Sequence, residues 1–378
     1  MPARRTVLTV IALLALLHFY IGARLLPAMD LGGIGMALGA VLLTASTVLV
    51  PAGLLAPRLR WSDRLAWAGL LAMGLFSSLL VLTAARDVLL LVASRLNADT
   101  PAMLRDSAIG VPVLALAASV LGLVKARRLA RVVEVAVPIA GLPAALHGYA
   151  IVQISDIHVG PTIKRGYLDA IVERVNGLRP DAIAITGDLV DGSVVQLAAH
   201  TAPLARLQAR DGTFFVTGNH EYYSNAESWI VELRRLGLTV LMNEHVLRER
   251  DGAALMIAGV NDFSAHHFYE SHRSDPHAAV AGALATPHVK ILLAHQPRSA
   301  AAAADAGFDL QLSGHTHGGQ FFPWNLFVPL QQPFTAGLHR WRELWVYTSR
   351  GTGYWGPPKR LGAPSEITRL RLVPSIGR

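Results

Sequence analysis

The sequence predicts an all-α transmembrane region of about four helices, residues 1–128, followed by an α/β domain, residues 129–378. The chain is 52% hydrophobic and only 16% charged, which is too apolar for an ordinary soluble protein. The apolar excess lies in the first 131 residues, which contain long runs without charge. From Ala150 onward, short apolar runs typical of strands alternate with segments of helical period, as they do in α/β domains.

Four segments reach or approach the roughly 20 apolar residues that cross a bilayer as a helix. They are Thr6–Ala23, Leu31–Ala56, Leu65–Ala85 and Ala108–Val124. The last is short and begins near Asp106, and Val88–Leu96 is a candidate interfacial helix, so the number of spans could differ by one. His18 is the one obvious ionisable residue within a span, and its place near a helix end predicts a position at the membrane interface.

The positive charge of the chain belongs to the membrane region. Residues 1–131 contain 13 Lys and Arg against 5 Asp and Glu, whereas residues 132–378 contain 21 of each. With the N-terminus inside, basic residues favour the inner side, which predicts that both ends lie in the cytoplasm. The inner set is Arg4, Arg5, Arg58, Arg60, Arg64, Lys125, Arg127, Arg128 and Arg131, and the outer set is Arg24, Arg86, Arg95 and Arg105. The neutral α/β domain argues against nucleic acid as a partner.

A secretory or twin-arginine signal peptide is the competing interpretation of residues 1–23, because Arg4 and Arg5 precede an apolar segment. No small-x-small cleavage site stands out, and three more spans follow. The sequence contains no cysteine, which excludes disulfide scaffolds and thiolate metal sites.

Six apolar runs of the second part predict strands. They are Tyr149–Ile154, Ala182–Thr186, Thr213–Val216, Leu255–Val260, Lys290–Ala294 and Leu310–Ser313. Helical spacing predicts one helix through Leu168–Val175 and others centred near Ala199, Ile230, Ala281 and Ala302.

Polar clusters follow five of these strands. They are Ser155–His158 (SDIH), Gly187–Asp191 (GDLVD), Gly218–Glu221 (GNHE), His295, and Gly314–Gln320 (GHTHGGQ). Because the carboxyl ends of strands in open α/β sheets converge on one crevice, these side chains are expected to meet there. Carboxylate, imidazole and amide groups suit hard-to-borderline metal ions. Two such ions a few Å apart would form a clamp for in-line displacement at phosphorus, and the two oxygens of Asp188 could bridge them.

The five motifs, in this order, resemble the signature of the calcineurin-like metallophosphoesterase superfamily, over roughly Ala150 to Arg371. The resemblance implies a four-layer α/β/β/α sandwich, in which a pair of mixed sheets is flanked by helices. It also implies two divalent metal ions, which could be manganese, iron or zinc. The implied ligands are Asp156, His158 and His317 for the first ion, Asn219, His295 and His315 for the second, and Asp188 as the bridge.

The same resemblance implies the catalytic roles. His220 would face the substrate and protonate the leaving oxygen, a task that suits an imidazole titrating near neutrality. Asp191 would orient His220, and a water shared between the ions would be deprotonated to hydroxide and attack phosphorus. Glu221 is either a partner of the metal-site residues or an acid at a helix start. Arg350 and Asp262 are weaker candidates for contact with the substrate.

The sequence is therefore interpreted as a multi-pass, membrane-anchored metal-dependent phosphoesterase with a cytoplasmic active site. Its substrate would be a phosphomonoester, phosphodiester or pyrophosphate that is membrane-proximal or lipid-linked. A specific alternative is UDP-2,3-diacylglucosamine pyrophosphatase, an activity of some superfamily members, and cleavage of cyclic nucleotides or nonspecific phosphodiesters stays open. The rival class is a non-catalytic membrane sensor or scaffold. Such a protein would lack a ligand or the proton donor, and none is missing from the sequence.

Overall fold

The computed structural model describes residues 4–56, 63–283 and 287–375. The chain divides into two compact units. The first consists of residues up to Arg127 together with Gly356–Lys359, and the second consists of Arg128–Trp355 and the residues from Arg360 onward. Arg58 and Arg60, which the topology prediction places on the inner side, lie outside the described residues.

The first unit contains four helices that are each long and apolar enough to cross a bilayer. They are α1 (Arg4–Leu25), α2 (Gly32–Leu55), α3 (Asp63–Arg95) and α4 (Pro101–Arg127). Glycines bring α2 and α3 close together, since a Cβ added to Gly53 would lie only 2.6 Å from the Cα of Gly69. Small residues at helix contacts are the usual means by which membrane helices approach each other.

The predicted interfacial helix Val88–Leu96 is wrong, because α3 continues without a break to Arg95. The sequence places a charged pair, Arg86 and Asp87, in the C-terminal part of this helix. Within the unit the Asp87 carboxylate accepts a hydrogen bond from the Tyr20 hydroxyl at 2.8 Å and pairs with Arg24 at 2.9 Å. Because α1 supplies partners for the Asp87 carboxylate, α3 continues through this polar pair.

Two further details of the membrane region differ from expectation. The segment predicted as Ala108–Val124 begins earlier, at Pro101, a residue that suits the first turn of a helix. His18 was predicted near a helix end, and this part of the prediction is wrong. It lies inside α1 and is 3% exposed, with Nε2 2.9 Å from Ser46 Oγ and its ring stacked on Phe76 at 4.2 Å.

The second unit contains twelve strands and six α-helices among its described residues. The strands are β1 (Arg131–Ile139), β2 (Ala150–Ile154), β3 (Ala182–Ile185), β4 (Thr213–Phe215), β5 (Thr239–Val240), β6 (Glu244–Arg250), β7 (Ala253–Gly259), β8 (Val289–Leu293), β9 (Leu310–Ser313), β10 (Gly337–Trp341), β11 (Leu344–Thr348) and β12 (Glu366–Pro374). The helices are α5 (Arg165–Gly177), α6 (Val194–Thr201), α7 (Asn219–Tyr223), α8 (Ala226–Arg235), α9 (Pro276–Val280) and α10 (Ala300–Asp305). The helix predicted near Ala281 is thus the short α9, which ends at Val280.

The strands form two mixed sheets of six strands each. The first has the order β1-β12-β2-β3-β4-β5, and the second has the order β10-β11-β9-β8-β7-β6. Strands β2 to β5 run parallel, as do β7, β8, β9 and β11. The parallel strands are apolar on both faces, as in AIVQI and VKILL, because both faces of each sheet are covered.

A buried cluster between the sheets holds the second unit together. It joins Ile151 and Phe214 of the first sheet to Leu255, Ile291 and Leu312 of the second. Burial of each such side chain contributes about 1.5–3 kcal/mol. On its other face, the second sheet packs against α9 and α10 through a separate apolar cluster. Helices α5, α6 and α8 connect successive strands of the first sheet along the chain. The predicted pair of mixed sheets with flanking helices is confirmed.

Candidate metal centre

The five polar clusters meet where strands β2, β3, β4, β8 and β9 end. The first three strands belong to one sheet and the last two to the other, so the crevice lies along the edges of both sheets. Three groups of side chains each bring candidate ligand atoms within 4.8 Å of one another. The groups are Asp156, His158 and His317; His158, Asp191 and His220; and Asp188, His295 and His315.

The first group surrounds a single point. The Nε2 atoms of His158 and His317 are 3.1 Å apart, and Nε2 of His317 is 3.4 Å from Oδ1 of Asp156. All three residues are buried. Ring nitrogens and a carboxylate oxygen that converge in this way could hold one divalent ion.

The group of Asp188, His295 and His315 lies beside the first group, and its Asp188 carboxylate faces both. Oδ2 of Asp188 is 3.2 Å from Nε2 of His295 and 3.9 Å from Nε2 of His158. Nδ1 of His315 is 3.2 Å from the same nitrogen of His295. A carboxylate with one oxygen near both groups has the position that a bridging ligand needs.

The Asn219 side chain supports the fit of a cation. Its Oδ1 atom is buried and has no hydrogen-bond partner among the described residues. A buried amide oxygen without a partner costs about 1–3 kcal/mol. A divalent ion would satisfy it, because oxygen is a ligand that such ions accept.

The backbone at these residues is held in an unusual conformation. Asp156, His158, Asp188, His315 and His317 all have left-handed φ values, between 51° and 70°. Such a conformation costs residues other than glycine about 1–3 kcal/mol each, and it persists where the surroundings impose it. Its concentration at five of the seven predicted ligands marks this crevice as a functional site.

Two glycines allow the loops to approach the carboxylates. A Cβ added to Gly218 would lie 2.2 Å from Oδ1 of Asp188, and one added to Gly314 would lie 2.2 Å from Oδ2 of Asp156. Any side chain at either position would therefore displace a predicted ligand.

The histidines of the GHTHGGQ loop are held neutral. Burial lowers the pKa of His315 to about 3, and burial together with the Arg360 guanidinium lowers the pKa of His317 well below its usual range. A neutral imidazole is the form that offers a lone pair to a metal ion. Burial alone would raise the pKa of Asp188, but the imidazoles of His295 and His220 outweigh it, so this carboxyl is held ionised.

One carboxylate orients two histidines. Oδ1 of Asp191 is 2.6 Å from Nδ1 of His220 and 3.0 Å from Nδ1 of His158. Each ring therefore turns Nε2 away from Asp191, and Nε2 of His220 lies 4.0 Å from Oδ2 of Asp188. Burial opposes the charge on His220, but Asp188 and Asp191 raise its pKa to about 9. The contact to His158 was not predicted from the sequence, although the Gly187–Asp191 motif contains the residue responsible.

The Glu221 carboxylate holds together the backbones of the second and third motifs. Its carboxylate accepts hydrogen bonds from the N–H groups of Gly218 at 2.7 Å, Asp188 at 3.0 Å and Leu189 at 2.8 Å. It is also in the first turn of α7. Of the two interpretations left open by the sequence, the structure favours a partner of the metal-site residues, because Glu221 ties the second motif to the third.

Arg360 is a residue of this site that the sequence did not reveal. Its guanidinium is 1% exposed and lies 3.0 Å from Nδ1 of His317. It donates hydrogen bonds to the carbonyl oxygens of His317 at 2.9 Å, Arg350 at 2.7 Å and Gly353 at 3.1 Å. Arg360 thus fixes both the ring and the backbone of a predicted ligand.

Replacing Arg360 by methionine is expected to destabilise the protein by several kcal/mol, on the order of 3, because buried carbonyl oxygens would lose their donors. Metal affinity should fall about 10- to 100-fold, as for other residues that orient ligands. Thermal unfolding and a metal titration would measure the two effects. Arg360→Lys is the matched control, since it keeps the charge but lacks the planar guanidinium group. It should retain only part of the stability and part of the metal affinity. Unchanged metal affinity in Arg360→Met would contradict this role.

The two weaker substrate candidates are both engaged with other residues. Arg350 pairs with Oε2 of Glu366 at 2.8 Å. Its Cγ would lie 3.0 Å from a Cβ added to Gly318, so it leaves little room for a side chain there. Asp262 is fully buried, and both of its oxygens accept hydrogen bonds from the Gln296 side chain, at 3.0 and 3.1 Å. A direct contact between Asp262 and substrate would require these bonds to be exchanged. Both roles stay predictions.

Residues 149–319 match the calcineurin-like phosphoesterase family. A bovine (Bos taurus) transmembrane protein with metallophosphoesterase domain is 44% identical over 265 residues, which are 67% of this chain and 60% of that protein. A metallophosphoesterase of Helicobacter pylori strain 26695 is 39% identical over 229 residues, 59% of this chain and 60% of that protein. A Bacillus subtilis metallophosphoesterase, YkuE, is 31% identical over 240 residues, 61% of this chain and 81% of that protein. The chain spans about 60% of the length of the first two relatives.

The fold and the two clusters of ligand atoms form a site that could hold two metal ions, as in metal-dependent phosphoesterases. The chain belongs to the calcineurin-like metallophosphoesterase family. This confirms the resemblance predicted from the five motifs, and with it a site that could hold two divalent ions.

Proposed function

We propose that this protein is a membrane-bound hydrolase that cleaves phosphoester or pyrophosphate bonds. The observation that carries the proposal is the position of Asp188 between two clusters of ligand atoms, with the His220 ring beside it. Two divalent ions in these clusters would act as Lewis acids on the phosphoryl oxygens and lower the pKa of a water molecule.

The residues of the chain supply the rest of the reaction. Asp156, His158 and His317 would hold one ion, and Asn219, His295 and His315 would hold the other. Asp188 would bridge the two. His220, held protonated by its two carboxylate neighbours, donates a proton from Nε2 to the leaving oxygen. Asp191 accepts the Nδ1 hydrogen bond and so aims Nε2 at the substrate.

The substrate is proposed to be membrane-proximal or lipid-linked, because the same chain contains four helices that could span a bilayer. UDP-2,3-diacylglucosamine is a specific candidate. The balanced charge of residues 132–378 favours such a substrate over nucleic acid. The chain is proposed to cross the membrane several times with its catalytic domain in the cytoplasm. Reporter fusions at the C-terminus would measure this orientation, and an exported C-terminus would exclude it.

Chelation is expected to abolish hydrolysis by the full-length protein in detergent. Elemental analysis of the purified protein should find close to two ions per chain. After treatment with EDTA, turnover of bis(p-nitrophenyl) phosphate should be lost, and addition of manganese, iron or zinc should restore it, each to a measurable degree. A protein that holds two ions but hydrolyses no phosphomonoester, phosphodiester or nucleotide-sugar would instead be the non-catalytic sensor or scaffold.

A further inference from the structure

Two aromatic side chains flank His220. The ring of Tyr223 lies 5.2 Å from the His220 ring, and the ring of Trp355 lies 5.6 Å from it, both in edge-on geometry. Both aromatic side chains are largely exposed to solvent, whereas His220 itself is mostly buried. The group that donates a proton to the leaving oxygen therefore lies between two exposed aromatic rings.

Further exposed apolar side chains lie on the segment that follows the metal-binding loop, which is tied to Trp355. The Gln320 side chain hydrogen-bonds to both backbone groups of Trp355, at 2.8 and 2.9 Å. A Cβ added to Gly319 would lie 2.2 Å from the Cα of Asn325, so this segment packs directly on the loop that contains His317. We define the apolar rim as six residues, each between 45% and 80% exposed: Tyr223, Phe322, Leu326, Phe327, Leu330 and Trp355.

The rim also differs from an ordinary protein surface in charge. From Gly318 to Leu338 the sequence contains no Asp, Glu, Lys or Arg. Proteins that face only water rarely expose several large apolar side chains together, and such patches usually mark a binding surface. Aromatic and aliphatic side chains without charge are the composition of segments that meet lipid.

We propose that the apolar rim binds the hydrocarbon chain of a lipid phosphoester whose phosphate occupies the metal centre. The proposal rests on the proposed function and specifies its substrate class. The leaving oxygen must lie at His220, so the group attached to it lies against Tyr223 and Trp355. The segment from Phe322 to Leu330 directly follows the metal-binding loop, and the exposed aliphatic side chains of Leu326 and Leu330 offer a nucleobase no ring to stack on. A lipid is the occupant favoured over a second protein, because the same chain contains four helices long and apolar enough to cross a membrane.

A series of alkylphosphonates would test this proposal on the full-length protein in lipid nanodiscs loaded with manganese. Isothermal titration would measure the affinity of methyl-, butyl- and hexylphosphonate, with empty nanodiscs as the background. Each buried methylene contributes up to about fourfold in affinity. Since burial on an open rim is partial, hexylphosphonate is expected to bind at least about tenfold more tightly than methylphosphonate.

The variant Tyr223→Ser, Leu326→Ser, Leu330→Ser should reduce this hexyl-to-methyl ratio to about one or two. The ratio within each protein is the measure, so any loss common to both ligands cancels. The matched control is Val195→Ser with Val231→Ser, which removes two exposed apolar side chains on α6 and α8. It should keep the ratio of the unmodified protein.

Three outcomes would overturn the proposal. The first is a hexyl-to-methyl affinity ratio near one in the unmodified protein. The second is a ratio that stays unchanged in the rim variant. The third is an affinity for adenosine monophosphate that depends on Tyr223 while the hexyl-to-methyl ratio does not. The last would assign the two rings to a nucleobase. Failure of the proposed function gives a different pattern, in which the chain-length dependence is present but no phosphoester is hydrolysed. Absence of binding by any phosphonate would overturn both.

Discussion

Replacing Asp188 by asparagine is expected to reduce turnover by at least about 10³-fold and to reduce the metal content of the protein below two ions per chain. The carboxylate lies between the two ligand clusters, 3.2 Å from His295 and 3.9 Å from His158. Asparagine keeps one oxygen but loses the negative charge and the second oxygen, so it cannot bridge. A loss of about 4 kcal/mol of transition-state stabilisation corresponds to about 10³ in rate.

Asparagine is preferred to alanine here because it preserves the fold. Oδ1 of Asp188 accepts a hydrogen bond from the backbone N–H of His220 at 2.9 Å, and an amide oxygen can replace it. Elemental analysis would report the ions, circular dichroism the fold, and hydrolysis of bis(p-nitrophenyl) phosphate the activity.

A carboxylate outside the crevice provides the control. Asp181 precedes β3, where it accepts a hydrogen bond from the N–H of Ala150 at 2.8 Å and pairs with Arg250. Asp181→Asn removes a partly buried charge from the other end of the same strand and should retain both ions. If Asp188→Asn also retained both ions and full turnover, the assignment of Asp188 as the bridge would be wrong.

The metal centre could be predicted from sequence because each of its parts follows an apolar run. Strands β2, β3, β4, β8 and β9 are short and buried, and a polar cluster after each run identifies the end that faces the crevice. The sequence pattern does not show that these strands belong to two sheets. That division depends on strand pairing, which a local pattern does not contain.

The contribution of Arg360 could not be predicted, because its role depends on distant contacts. Arg360 follows Lys359 in a segment rich in proline and glycine, where a basic residue usually faces solvent. In the structure it is buried against His317, which precedes it by 43 positions. Helix α3 differs from its prediction for the same reason. The charges of Arg86 and Asp87 suggest that the helix ends there, but a contact with another helix allows it to continue.

Replacing His220 by alanine is expected to reduce hydrolysis of an alkyl phosphoester by about 10²- to 10⁴-fold while both ions stay bound. The side chain is a proton donor in the proposed mechanism and is not among the predicted ligands. An alkoxide is a poor leaving group and depends on that proton, whereas p-nitrophenolate is a stable anion and depends on it less. The loss should therefore be larger for the alkyl substrate than for bis(p-nitrophenyl) phosphate.

A histidine remote from the crevice serves as the comparison. His245 on β6 is partly buried and its Nδ1 lies 2.8 Å from the carbonyl oxygen of Ala279. His245→Ala should leave turnover of both substrates close to that of the unmodified protein. Equal losses for the two substrates in His220→Ala would argue that the residue shapes the site without donating a proton.

The pH dependence of turnover follows from the same histidine. The pKa of His220 is raised to about 9, because Asp188 and Asp191 outweigh the effect of burial. The protonated form is the donor, so activity should be present below this pKa and be lost as the pH rises through it. Asp191→Asn removes one of the two carboxylates, which lowers the pKa and moves the alkaline limb of the rate profile to lower pH. A limb that did not move, or moved to higher pH, would mean that another group controls the alkaline loss of activity.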